Sequence, residues 1–230
     1  MTDPEHASLS ERMAAAAREL QEVDDLAHTY QGAVALAVTN IEGCDSAGLS
    51  IVRRRRVVET LAATDDMAEA GDRLQYETGE GPCLSAIWEQ MTVYCRNLAT
   101  DQRWPTWGPL VAQQTGARSV LAFQLFTFED TLGALNLYSR QPDGFDETDR
   151  EEGLALAAHV AIAVTAAQQI DDLTHALDSR TVIGQATGLL MERYDLTSVV
   201  AFAVLTRVSG TQEIKVRDLA EQLVRTRRLP

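Results

Sequence analysis

Apolar residues change their spacing three times along the chain. Over residues 7–30 they follow a helical period: Leu9, Met13, Ala16, Leu20, Val23, Ala27 and Tyr30 alternate steps of four and three, the pattern of a heptad seam. This predicts an N-terminal helix within residues 1–30, with the first six residues disordered. The seam fits either its own domain or a partner helix. From residue 32 to 140 short alternating runs take over. Residues 49–53 and 57–63 read as a hairpin around the run Arg53–Arg56, followed by a short helix at 64–76. A short strand is expected at 93–95 and a helix from about 104 to 115. Residues 119–127 and 132–139 alternate strongly across a turn at 128–131. Asp146, with Asp149 three residues on, then caps a helix.

That helix is long. Leu156, Val160, Ala163, Ala167, Ile170, Thr174 and Leu177 again alternate fours and threes, and neither Gly nor Pro interrupts the chain from there until Gly184. At ~1.5 Å per residue the stretch from Leu156 to Met191 spans about 50 Å. A parallel dimer along this seam and packing against a sheet are both open, and the length of the stripe favours the dimer. The helix stops near Tyr194. Thr197 caps a second helix at 198–209, which Ser209-Gly210 ends, and a third follows at about 213–227. The fold class expected is α+β: an antiparallel-sheet domain at 31–168, joined by a long helix to an all-α three-helix domain at 169–230.

Composition narrows this reading. A chain of 230 residues suits one or two domains. No run of 18 apolar residues occurs, so no membrane span is expected, and the acidic N-terminus does not read as a signal peptide. Cys44, Cys83 and Cys95 show no metal-ligand spacing, and a reduced, cytoplasmic protein fits them. The net charge of −14 argues against a general nucleic-acid binder. It is unevenly spread: residues 1–170 hold 12 basic and 26 acidic groups, whereas residues 171–230 hold 8 of each. The tail is the least unfavourable place for a polyanion.

Several residues carry candidate chemistry. Cys83 follows Pro82 at a helix start, where the dipole favours a thiolate; a redox-sensing thiol and a small buried residue are both open. Trp88 and Trp104 can line a ligand pocket or fill a core. His6, His28, His159 and His175 are scattered, so no metal site is expected. No phosphate-cradling glycine loop or catalytic triad appears, and no enzyme is predicted. The arginine run can be a solvated turn or a nucleic-acid contact.

Two stretches resemble known families. Ala176-Leu-Asp-Ser-Arg180, Ile183-Gly-Gln-Ala-Thr-Gly188, Leu190-Met191, Ala201-Phe202 with Leu205, and Lys215-x-Arg217-x-Leu219-Ala220 resemble the ANTAR domain, the RNA-binding module of bacterial transcription antiterminators. Glu80-Gly-Pro-Cys83, Arg103-Trp-Pro105, Gly133-Ala-Leu-Asn-Leu-Tyr138 and Phe145-Asp146 are similar to GAF domains joined to such tails.

The resemblance implies a dimer that binds paired RNA hairpin loops and prevents terminator formation, under the control of a GAF-like sensor with an unidentified small-molecule ligand. It places the RNA site on Arg180, Gly184, Gln185, Thr187, Gly188, Arg193, Lys215 and Arg217. Ligand or redox sensing falls to Cys83, Trp88 and Trp104. Phe202 sits in the family's Ala-Phe pattern and reads as packing. Thr187 stands where the family carries lysine. That substitution favours the competing reading, a ligand-sensing protein-interaction module without RNA binding. A methionine sulfoxide reductase working through Cys83 and Cys95, and a regulator of double-stranded DNA, are weaker alternatives.

Overall fold

Asp25 decides how the N-terminal region is cut into helices. The computed structural model describes residues 8–21, 25–53, 57–89, 91–127 and 131–228. In it Asp25 is extended and its carboxylate accepts from the backbone N–H of His28, an N-cap. The expected single helix is therefore two, α1 (Leu9–Gln21) and α2 (Leu26–Asn40). Met13, Ala16 and Leu20 of the α1 seam are buried in the core of their own domain, and Arg12 pairs with Glu152. Of the two partners the sequence allowed for that seam, its own domain takes it. The stretch expected to be disordered lies outside the described residues.

Five strands follow the alternation. β1 (Ser46–Val52) and β2 (Val58–Ala63) form the first hairpin; Arg54–Arg56 at its turn lie outside the described residues. β3 (Thr92–Cys95), β4 (Ser119–Phe126) and β5 (Thr131–Ser139) complete an antiparallel sheet of order β2-β1-β5-β4-β3. Residues 128–130, in the second expected turn, are likewise not described.

The two faces of this sheet carry different residues, because successive side chains point to opposite sides. Leu49, Ile51, Leu121, Phe123, Leu125, Leu135 and Leu137 face α1, α2 and the start of α6 (Glu147–Tyr194). Val120, Ala122, Ala134 and Tyr138 face α3 (Asp66–Thr78), α4 (Pro82–Trp88) and α5 (Trp107–Thr115). Each layer starts where the sequence signals it. Asp65 caps α3 through the N–H groups of Met67 and Ala68. Asp146 and Asp149 cap α6 reciprocally, each carboxylate accepting the other's backbone N–H at 2.9 Å.

The seam expected along α6 resolves into two stripes. Leu156 and Val160 are fully buried with Ala157, Ala161 and Val164, whereas Ile170 and Leu177 are exposed. A straight helix drifts about 20° per heptad from a 3.5-residue repeat, so a four-three pattern held over three heptads leaves the face it began on. A second stripe faces outward: Ile162, Ala166, Ile170, Leu173 and Leu177. Its four large members from Ile162 onward are 62–65% exposed. Apolar on two sides, α6 contains an 18-residue window of mean hydropathy 1.5, long and apolar enough to cross a membrane by composition, although the sequence shows no unbroken apolar run. One third of that window is buried in the protein.

The chain divides into two compact units, Met1–Gln168 and Gln169–Pro230. In the second, α6 beyond residue 169 joins α7 (Ser198–Gln212) and α8 (Val216–Thr226). Their core is Ala186, Leu190, Ala201, Leu205, Leu219, Ala220 and Leu223. Thr197 caps α7 as expected. The helix passes Gly210, where an end was expected, and stops at Glu213 in the left-handed conformation (φ 56°). Ser209 is buried at that point and donates to the carbonyl of Ile214 at 2.5 Å.

Candidate functional site

The α3-facing side of β1 and β5 is made of small and polar residues, Gly48, Ser50, Asn136 and Tyr138, and Asp72 of α3 points into it. Gly48 and Gly71 make the approach possible: a Cβ on Gly48 would overlap the Asp72 carboxylate, and one on Gly71 would lie 2.7 Å from the Tyr138 ring. Asp72 is fully buried. One carboxylate oxygen accepts from the Tyr138 hydroxyl (2.6 Å), the Asn136 amide (2.9 Å) and the Gln75 amide (3.3 Å). The other accepts from Ser50 (3.3 Å) and Thr60 (3.2 Å). Tyr76 bonds the hydroxyls of Ser50 and Thr60 at 2.7 and 2.8 Å. The Asn136 side-chain oxygen has no partner among the described residues.

Burial dominates the electrostatics. It pushes the Asp72 carboxyl up to about 6, although the hydrogen bonds from Tyr138, Asn136, Thr60 and Ser50 pull it down. Burial, and then the charge of Asp72, raises the hydroxyls of Tyr76 and Tyr138. The Cys83 thiol, buried and 3.4 Å from the Ser50 hydroxyl, is pushed up to about 12 for the same two reasons. The helix start that was expected to favour its thiolate is outweighed. The Cys95 thiol is also pushed up to about 12 by burial.

Trp88 and Trp104 line one cavity of about 560 Å³ together with Gly79, Glu80, Glu89 and Arg103. Cys83 does not line it. The Arg103 guanidinium lies 4.3 Å from the centre of the Trp104 ring, which meets Trp107 edge-on at 6.0 Å. The Glu80 carboxylate accepts the backbone N–H groups of Thr106 and Trp107 at the start of α5, which holds it below its usual range. Among the described residues no group of three or more His, Cys, Asp or Glu side chains is placed to hold a metal ion.

In the second unit Arg180, Gly184, Gln185 and Gly188 are exposed on one outward face of α6, opposite the buried Ala186 and Leu190. A Cβ on either glycine would meet nothing within 4 Å, so the face is open to close approach. Thr187 is half-buried and donates to the carbonyl of Ile183 at 2.7 Å. Arg193, Lys215 and Arg217 lie off that face. Arg193 donates to the carbonyl of Arg227 at 2.6 Å. Lys215 is exposed at the start of α8, and Arg217 bonds Glu221 at 2.9 Å. Phe202 is 46% exposed, so the packing role read from its pattern is overturned: Ala201, Leu205 and Ser209 take the inward face of α7 and leave it at the edge.

The sequence reading did not single out Asp72, Ser50, Thr60 and Gln75. A signal existed in β5, where Asn136 and Tyr138 interrupt an apolar strand on its polar face.

Sequence profiles decide the family. The GAF domain profile matches residues 23–165 and the ANTAR domain profile matches residues 171–224. The chain is a GAF and ANTAR domain protein. Solved structures agree on the GAF fold. The GAF domain of a phosphoenolpyruvate-protein phosphotransferase from Coxiella burnetii superposes with a TM-score of 0.58 at 14% identity, over 71% of this chain and 96% of that one. A free methionine-R-sulfoxide reductase from Neisseria meningitidis gives 0.53 at 17% identity, over 74% and 96%. A bacteriophytochrome from R. palustris gives 0.60 at 12% identity, over 90% of this chain and 48% of that one. At these identities the likeness is one of fold. No curated protein matches the chain. The GAF–ANTAR architecture is that of a regulator with a sensory domain.

Proposed function

We propose that this GAF–ANTAR protein is a cytoplasmic, non-catalytic regulator that binds paired RNA hairpin loops through its ANTAR domain and promotes antitermination, with a small molecule on the GAF domain as its input. The observation that carries the reading is the open face Arg180–Gly184–Gln185–Gly188 inside the matched ANTAR segment. RNA loops are read through phosphate charge and splayed bases. Arginine supplies a cation with a planar stacking surface, and glycines let a backbone come close. Lys215 is a second contact, while Thr187, Arg193 and Arg217 act by shaping the domain. A non-catalytic role is supported by Cys83 and Cys95, whose raised thiols are the opposite of what a nucleophile needs.

The partner needed to present two RNA sites is a second copy of the chain. The exposed stripe from Ile162 to Leu177 supports this: large apolar side chains on one helix face favour burial against an identical stripe. A ligand-sensing interaction module without RNA binding is the second reading, favoured by Thr187 and by the charge of −14.

The deciding measurement is binding of the full chain to an RNA of two short hairpins across a salt series, with transcription through a terminator overlapping them as the functional readout. Salt-sensitive binding, weakened in Arg180→Ala, together with increased read-through, is the expected result. No binding at low salt would remove the antiterminator reading in favour of the interaction module.

A further inference from the structure

The C-terminal end of α8 is the most basic part of the ANTAR unit. Residues 180–230 hold eight basic side chains, and four of them, Arg193, Arg225, Arg227 and Arg228, gather at this end. Lys215 and Arg217, at the other end of α8, are offset by Glu213, Asp218 and Glu221. Arg225, Arg227 and Arg228 also fall beyond the segment matched to the ANTAR profile, which closes at residue 224.

The terminal turn is held in a defined shape. Arg227 adopts the left-handed conformation (φ 58°) and its N–H donates to the carbonyl of Leu223 at 2.8 Å. Arg193 donates to the Arg227 carbonyl. The Thr226 hydroxyl bonds the carbonyl of Gln222 at 2.7 Å and accepts from the N–H of Arg228 at 3.2 Å. Glycine is the usual residue for such a left-handed cap, because a side chain there is strained. In this chain the position carries arginine, and it borders a groove. Gln185, Gly188, Leu189 and Glu192 of α6 face Val224 and Arg227 across a cavity of about 650 Å³. Among the described residues Glu192 is the one acidic residue lining it, and the exposed Gly188 leaves one side without a side chain.

We infer that this groove is the principal phosphate-binding surface of the ANTAR unit, with Arg227 and Arg228 contacting the RNA backbone and Arg193 holding the turn that presents them. The inference rests on the RNA reading above and moves its electrostatic centre from the start of α8 to its end. The Gln185–Gly188 face and the arginines then bracket one strand of an RNA loop, the side-chain amide near the bases and the guanidinium groups on the phosphates.

The test is binding of full-length protein to the same two-hairpin RNA. Arg227→Gly removes the guanidinium but keeps a residue suited to the left-handed cap, so the fold is retained; Arg228→Ala is added to it. The expected result is binding on the order of tenfold weaker, with the slope of log K against log salt reduced by about 1.4, that is, about 0.7 for each phosphate no longer neutralised. The thermal midpoint does not fall, since glycine suits the left-handed cap. Lys215→Ala with Arg217→Ala weakens binding less. Gly188→Leu, which fills the groove and leaves every charge in place, also weakens it. If the wild type binds but Arg227→Gly/Arg228→Ala keeps its affinity and slope, or if Gly188→Leu binds normally, the groove assignment is wrong and the RNA reading stands. If the wild type does not bind, both fall.

Discussion

The GAF and ANTAR units handle charge in opposite ways. The GAF unit takes one carboxylate, Asp72, entirely out of water and surrounds it with donors from β1, β2, β5 and α3. The ANTAR unit keeps its charges at the surface around a core of seven fully buried residues. A buried charge costs the fold its desolvation, and removing one of the groups that satisfy it is strongly destabilising. A surface charge does little for the fold and is available to a ligand. In one unit a charge substitution should show up in folding, and in the other it should show up in binding.

Four measurements can break that contrast. The largest effect is expected from Asp72→Ala, which leaves five donors without their acceptor and destabilises the GAF unit by about 4 kcal/mol. Trp88, Trp104 and Trp107 all lie in this unit, so tryptophan fluorescence during urea unfolding reports on it alone. A destabilisation under 1 kcal/mol would mean that the cluster is not a keystone.

Next is Leu205→Ala in the ANTAR core. It should cost about 3 kcal/mol, seen as reduced helicity by circular dichroism while the fluorescence midpoint holds. A matching shift in the fluorescence would show that the units unfold as one.

The third effect depends on pH. The folded carboxyl of Asp72 lies at about 6, against an ordinary value of 3.8. The folded state therefore prefers the protonated form. The stability this gives is fully present below about pH 3.8 and is lost as pH rises through about 6, an effect on the order of 3 kcal/mol. Stability profiles of wild type and Asp72→Asn should diverge across that window, the wild type falling relative to the variant; parallel profiles would show that Asp72 does not titrate there. The smallest effect is Phe202→Ser, which should change stability by less than about 1 kcal/mol because the ring is half in solvent. A change of 3 kcal/mol or more would restore the packing role.

The same contrast explains what the sequence revealed. Local signals were legible. The caps at Asp146 and Thr197, the alternation in β4 and β5 and the glycines on the α6 face are each written within a few neighbouring residues. The Asp72 cluster was not, because its partners come from elsewhere: Asn136 and Tyr138 lie 64 and 66 residues away, and only the strand order brings them together. The α6 seam misled for a related reason. Fours and threes describe one face only for as long as the helix does not drift, and whether Leu156 or Ile162 meets a core depends on where the sheet lies.

The amide of Cys83 shows one consequence of the buried cluster. It sits at the start of α4, where the first backbone N–H groups have no acceptor within the helix and commonly exchange their hydrogens with solvent quickly. Here it donates at 2.7 Å to the side-chain oxygen of Gln75, whose amide group in turn bonds Asp72 and Tyr138. Its hydrogen should therefore exchange as slowly as those of the central strands, and only when the cluster opens. That single amide is a built-in clock for how often the sensor core comes apart.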